Sequence, residues 1–96
     1  MSDAKKGSNY GFPALRAFIQ GYARSDVPDQ RAVQDFMECE TTEVVKPLQG
    51  ELLLVLDGKY DREIFDKAIG VKRRAKYESY ENWARLMLQW IANYKG

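Results

Sequence analysis

The sequence predicts an all-α fold, a compact single domain of about five helices with an orthogonal or partly bundled arrangement. Apolar residues recur at helical spacing in several segments, prolines or capping residues precede these segments, and the connections between them are short. A chain of 96 residues has the length of one domain. We expect residues 1–9, which are mostly small and polar, to form a flexible N-terminal tail, and residues 10–96 to form a single helical domain.

The first two predicted helices each begin at a proline. Pro13 suits a first helical position because its missing N–H would have no partner there. The apolar face behind it follows the spacing i, i+3, i+4 and i+7: Leu15, Phe18, Ile19 and Tyr22. Asp26 can cap the second helix, Pro28 occupies its first turn, and we expect it to end near Glu40. Its apolar face consists of Val33, Phe36 and Met37.

Residues 42–56 have two interpretations. As a helix, the stretch would begin at Pro47 and stop at Gly58, with a leucine-rich composition suited to burial on all sides. As strands, "TEVV" and "ELLLVL" would pair in a short hairpin around "KPLQG", and the fold would be α+β. Leucine prefers helices, and only Val55 in the second run is β-branched, so we expect a helix.

Two further helices complete the predicted domain. The fourth has Asp61 as its cap, and Gly70 as a left-handed residue beyond its end, with Val71 folding back on Phe65. Its apolar face is Ile64, Phe65 and Ala68. The last is capped by Ser79 and runs to about residue 94. Its apolar face matches the helical template at every position: Trp83, Leu86, Met87, Trp90 and Ile91.

Several classes of chemistry lack the residues they need. The chain has no histidine, the commonest general base and metal ligand, and no phosphate-binding glycine loop precedes the run that ends in Asp57. We therefore expect neither an enzyme nor a bound metal or cofactor. Cys39 is the single cysteine and no apolar signal segment is visible, so we expect a soluble, cytoplasmic protein that does not span a membrane. The carboxylates near Cys39 in the sequence are expected to form a solvated acidic rim: Glu38, Glu40 and Glu43.

The formal net charge of +1 conceals a marked asymmetry along the chain. Residues 26–66 have a net charge of −7, whereas residues 67–96 have a net charge of +5. A basic segment, predicted to connect the last two helices, contains Lys72, Arg73, Arg74 and Lys76. It would either contact nucleic-acid phosphates, with the neighbouring tyrosines stacking on bases, or remain a connector that opposes the acidic block. We expect the second.

The last helix carries the main candidate binding site. Large aromatic and soft residues recur there with spacings of 3, 4, 3 and 4, which form a seam along one face: Tyr80, Trp83, Met87, Trp90 and Tyr94. Tryptophan, tyrosine and methionine are enriched at the centres of protein interfaces, although the same residues also suit a small domain's own core. We expect a small module that binds another protein as an adaptor, inhibitor or regulatory subunit, through its charge-segregated surface and this helix. The alternative is a nucleic-acid-binding regulator that uses residues 72–76, and a homodimer is a further option.

Overall fold

Six α-helices and one π-helical segment follow one another along residues 12–24 and 26–94, the parts of the chain that the computed structural model describes. They are α1 (Pro13–Gly21), α2 (Asp29–Cys39), α3 (Thr42–Leu56), α4 (Arg62–Phe65), the π segment (Asp66–Gly70), α5 (Val71–Tyr77) and α6 (Tyr80–Asn93). Because α4 runs directly into the π segment, these two form one helical unit, which the non-helical backbone of Gly70 separates from α5. The predicted all-α fold of about five helices is confirmed. These residues contain no strand, so the alternative hairpin is excluded. The predicted tail lies outside the described residues.

Helix α1 begins at Pro13, as predicted, but its cap comes from a distant part of the chain. The residue before it, Phe12, has a left-handed backbone and gives no side-chain hydrogen bond to the helix. Instead, the two carboxylate oxygens of Glu51 on α3 accept hydrogen bonds from the N–H groups of Ala14 at 3.0 Å and Leu15 at 2.7 Å. Glu51 therefore satisfies two of the N–H groups that a helix start leaves unpaired, and it holds α1 against α3.

Helix α2 begins at Asp29, one residue after Pro28, and ends at Cys39 as expected. Asp26 does not cap this helix as predicted. Pro28 occupies the cap position, and no side chain there forms a hydrogen bond with the first turn. The predicted apolar face is correct in its main members, since Val33 and Phe36 are buried and Met37 packs against the core.

Helix α3 begins at Thr42, five residues before the predicted start at Pro47. The earlier start adds Val45 to a buried stripe with spacings of 3, 4 and 3: Val45, Leu48, Leu52 and Val55. Burial of this stripe outweighs the backbone hydrogen bond that Pro47 removes inside the helix. Pro47 lies on the exposed side, where water can hydrate the freed carbonyl. The expectation of burial on all sides is wrong, because Leu53 is 53% exposed and Leu54 is 42% exposed.

The segment after α3 differs most from the sequence prediction. Asp61 caps α4 as expected, accepting from the N–H groups of Glu63 and Ile64, and Gly70 has a positive φ of 117°. The helical backbone is interrupted at Gly70, as expected, but α5 starts at the next residue, and Val71 is exposed instead of folding back on Phe65. Of the predicted apolar face only Phe65 is buried, together with Ile69 four residues later, while Ile64 and Ala68 are exposed.

Helix α6 is the central element of the core. The Ser79 side chain caps it by accepting from the Asn82 N–H at 3.0 Å, as predicted. It packs against α3, α2 and α5, and α1 packs against α3. Trp83 and Met87 are completely buried. One part of the same core is aromatic and consists of rings in mutual contact: Phe12, Tyr60, Phe65 and Tyr80.

The long-range cap of α1 can be tested by substitution. Glu51→Ala should lower the free energy of unfolding by about 1 to 2 kcal/mol, because it leaves two N–H groups of α1 without their acceptor. Glu43→Ala is the matched control, since it removes an exposed carboxylate from the same helix, and it should cost at most about 0.5 kcal/mol. Urea denaturation followed by circular dichroism measures both values, and equal losses would contradict the role given to Glu51.

Candidate functional site

The structure divides the aromatic seam of α6 into a buried part and an accessible part. Tyr80, Trp83 and Met87 have no exposed surface, because they form the core beneath α2, α3 and the π segment. A partner cannot contact these three side chains while the domain is folded. Trp90 and Tyr94 are only partly buried, so the accessible part of the predicted binding seam is the last turn of α6 and the residue after it.

Trp90 and Tyr94 line a groove between α6 and α2, which we call the α2–α6 groove. Its volume is about 490 Å³. Its lining residues come from α2 on one side and from the end of α6 on the other: Gln30, Val33, Gln34, Glu38, Trp90, Asn93 and Tyr94. The 3.6-residue repeat places Gln30, Gln34 and Glu38 on successive turns of α2, facing the two aromatic residues. The groove thus combines aromatic surface, side-chain amides and one carboxylate.

The electrostatics of the groove are negative. Among the described residues, Glu38 is the only charged residue that lines the groove, and its exposed side chain has no ion pair or hydrogen bond with any of them. Partial burial, followed by the charge of the nearby Glu38 carboxylate, raises the pKa of the Tyr94 hydroxyl. No cation lies over the Trp90 or Tyr94 ring within the described chain. The groove is therefore open to a positively charged group.

The four basic residues predicted as a connector are part of helix α5, and they divide into two kinds. Arg73 and Arg74 are half-buried and paired with carboxylates, whereas Lys72 and Lys76 are exposed. Both arginine partners, Asp29 and Asp66, belong to the acidic block of residues 26–66. Part of the opposite charge of the two sequence blocks is therefore paired inside the fold.

Arg73 belongs to a buried network with Asp29 and Trp83, which we call the Asp29 network. The Asp29 side chain is 5% exposed, and it accepts from Arg73 Nε at 3.0 Å, Arg73 Nη2 at 2.9 Å and Trp83 Nε1 at 3.0 Å. Arg73 also donates to the backbone carbonyls of Ile69 at 3.0 Å and Ala23 at 3.2 Å. A phosphate could engage this guanidinium only by breaking contacts that join α1, α2, the π segment and α6.

Arg74 forms a second network with Asp66 and Tyr80. Arg74 Nε and Nη2 donate to the two Asp66 oxygens at 3.0 and 3.2 Å, and the Tyr80 hydroxyl donates to Asp66 Oδ1 at 2.6 Å. These hydrogen bonds, from Tyr80 first and then Arg74, lower the pKa of the Asp66 carboxyl. Burial, followed by the hydrogen bond to Asp66, raises the pKa of Tyr80. The arrangement stabilises the junction of the π segment and α6.

Lys72 and Lys76 line a cavity of about 620 Å³ between α5 and the start of α2. Its wall also contains Val27, Pro28 and the carboxylate of Asp26, so its charge is mixed. Lys76 Nζ lies 5.5 Å from the centre of the Tyr77 ring, a cation–π contact within its own helix. Burial, together with the neighbouring Asp29 carboxylate, raises the pKa of Tyr77 to about 12. Two exposed lysines remain available for an anionic ligand on this side.

The three predicted rim carboxylates at the end of α2 and the start of α3 lie in different surroundings. Glu38 faces the α2–α6 groove, Glu40 accepts from the Tyr22 hydroxyl at 2.6 Å, and Glu43 is exposed on α3. In the described part of the chain, no group of three or more histidine, cysteine, aspartate or glutamate side chains is placed to hold a metal ion. None of the helices in residues 12–24 and 26–94 has the length and apolar content needed to cross a bilayer.

The α6 side of the groove could be predicted from the sequence, but its α2 side could not. Gln30, Gln34 and Glu38 are polar residues at helical spacing on α2, a pattern that by itself indicates only a solvated face. The signal that distinguishes them is their position beside Trp90 and Tyr94, which depends on how α2 packs against α6.

Comparisons with protein-family models, with curated proteins and with solved structures find no match to the chain. A function must therefore be inferred from the geometry alone.

The division of the basic residues gives a direct prediction. Arg73→Gln should lower the free energy of unfolding by about 3 kcal/mol or more, because it leaves the buried Asp29 carboxylate without its cationic partner. Lys76→Gln, on the same helix but exposed, should change it by less than about 0.5 kcal/mol. Chemical denaturation of both variants measures the difference, and a neutral Arg73→Gln would show that the Asp29 network contributes little.

Proposed function

We propose that this protein is a small protein-binding module whose α2–α6 groove receives a cationic segment of its partner. The observation that supports the proposal most strongly is the position of Trp90 and Tyr94, two partly exposed aromatic rings beside the unpaired Glu38 carboxylate. Large aromatic residues are the side chains most enriched among those that dominate interface binding energy. A carboxylate beside them favours a positive partner over a neutral or negative one.

The chemistry of the groove favours arginine over lysine as the inserted residue. A guanidinium can stack on an indole or phenol ring and at the same time donate several hydrogen bonds in its own plane. Glu38 supplies a charged acceptor for these donors, and the side-chain amides of Gln30, Gln34 and Asn93 supply carbonyl oxygens. A lysine ammonium has no plane to stack and fewer donors. The proposed partner segment therefore presents an arginine on an exposed turn, helix or strand.

Nucleic-acid binding is the weaker proposal, because the structure leaves it only two of the four predicted basic contacts. Arg73 and Arg74 are engaged by carboxylates, which leaves Lys72 and Lys76 as the exposed cations of α5. Two phosphate contacts would give a log–log salt slope of only about −2. Asp26, on the wall of the same cavity, would oppose a phosphate there.

A peptide selection tests the proposal, because it does not require an identified partner. Random twelve-residue peptides displayed on phage are selected against the wild-type protein, and the strongest binder is then synthesised and titrated by calorimetry. We expect the selected peptides to be enriched in arginine. Glu38→Gln should raise the dissociation constant of the binder at least about tenfold, which corresponds to about 1.4 kcal/mol for the lost charge pairing.

The controls use the protein and the peptide in parallel. Glu43→Gln removes an exposed carboxylate that lies outside the groove, and it should leave the dissociation constant unchanged. Replacing the peptide arginine by citrulline, which keeps the shape and removes the charge, should weaken binding to the wild-type protein more than it weakens binding to Glu38→Gln. Binders without a cation, binders equally tight to Glu38→Gln, or no binder that depends on Trp90 would each contradict the proposal.

A further inference from the structure

Helix α3 exposes an apolar face on the side opposite its buried stripe. We call it the α3 outer face; it consists of Pro47, Gly50, Leu53 and Leu54, with Lys46 at one end and Asp57, the residue after α3, at the other. All six residues are exposed, and spacings of 3 and 4 keep them on one side of the helix. Two adjacent leucines with 53% and 42% of their surface exposed are unusual on a helix whose other side is fully buried. This face therefore needs an explanation outside the domain's own core.

The shape of the α3 outer face is complementary to itself. Gly50 lies near its centre and has no side chain, and a Cβ atom placed there would find no atom within 4 Å. Because Gly50 has no side chain while Pro47, Leu53 and Leu54 beside it do, the surface dips at this position and leaves a shallow recess. Leu53, three residues further on, projects beside that recess as the most exposed large apolar side chain of α3. A second α3 helix packed in the antiparallel direction would place its own Leu53 over this Gly50.

The charges of the face are complementary in the same register. Lys46 lies at one end and Asp57 at the other, and neither forms an ion pair within the described residues. Antiparallel alignment of two α3 helices with Gly50 opposite Leu53 also places Lys46 opposite Asp57, because both pairs are centred on the same point between residues 51 and 52. Leu54 of one helix then lies beside Pro47 of the other. A two-fold axis repeats each of these contacts.

The geometry points to a second copy of this chain as the occupant of the α3 outer face. In this homodimer two α3 helices pack antiparallel, Leu53 of each copy fills the Gly50 recess of the other, and two Lys46–Asp57 ion pairs close the ends. A contact built from one helix face per copy is small, so the dimer is weak and forms at micromolar or higher protein concentration. The dimer contact uses no residue of the α2–α6 groove, so the dimer and the proposed function can be tested independently of each other.

Sedimentation equilibrium over a range of protein concentrations measures the dimer dissociation constant. Comparing the wild type with variants in which the charges at positions 46 and 57 are changed tests this inference. Lys46→Glu and Asp57→Lys, each made alone, replace both attractive pairs by repulsive ones and should raise the dimer dissociation constant at least about tenfold. The double variant restores opposite charges in the same register and should return to dimerisation close to that of the wild type. Leu53→Asp should abolish the dimer.

Two controls keep the experiment decisive. Lys67→Glu makes the same charge change at an exposed position of the π segment, and it should leave dimerisation unaffected. Circular dichroism at low protein concentration should show an unchanged fold for every variant, because all the substituted residues are exposed. A wild-type chain that stays monomeric at all concentrations would overturn the inference, and so would a dimer that survives Leu53→Asp or is not restored by the double charge exchange.

Discussion

The arrangement of the helices depends on one buried carboxylate, that of Asp29. An aspartate with 5% of its side chain exposed is strongly destabilising unless its charge is paired and its oxygens are hydrogen-bonded. Here Arg73 supplies the opposite charge and Trp83 supplies a further donor. Because Arg73 also donates to the carbonyls of Ile69 and Ala23, the same interaction fixes α5 relative to the ends of α1, α2 and the π segment. A shift of any of these elements would leave a buried polar group unpaired.

This constraint also determines which surfaces remain for a partner. The acidic block and the basic C-terminal block of the sequence partly neutralise each other inside the fold, through Asp29 with Arg73 and Asp66 with Arg74. Burial of Trp83 beneath α2 places the last turn of α6 at the edge of the core, where it meets the polar side of α2. The α2–α6 groove is a consequence of that packing. The α3 outer face lies away from it, since α3 packs through its buried stripe against α6 and α1.

The elements predicted correctly from the sequence are those specified by local signals. Pro13, Asp61 and Ser79 mark helix starts through the chemistry of their own residues, and the periodicity of α6 fixes its inward face. The misjudged features depend on contacts between distant residues. Glu51 caps a helix that begins 38 positions earlier in the chain, and no local pattern indicates this. Periodicity identifies the α6 seam as apolar, but it does not show how much of the seam is buried, because that depends on how the neighbouring helices pack against it.

The Asp29 network can be tested most directly by a double-mutant cycle that substitutes alanine for Asp29, for Arg73 and for both, with stability measured by urea denaturation. If each residue stabilises the fold mainly through the other, the double variant should lose less unfolding free energy than the sum of the losses of the two single variants. The expected interaction energy is at least about 2 kcal/mol. The exposed Arg31–Asp35 pair on α2 serves as the reference cycle, with an expected interaction energy of about 0.3 to 0.5 kcal/mol. Additive losses at Asp29 and Arg73, or an interaction energy no larger than that of the reference pair, would contradict the account.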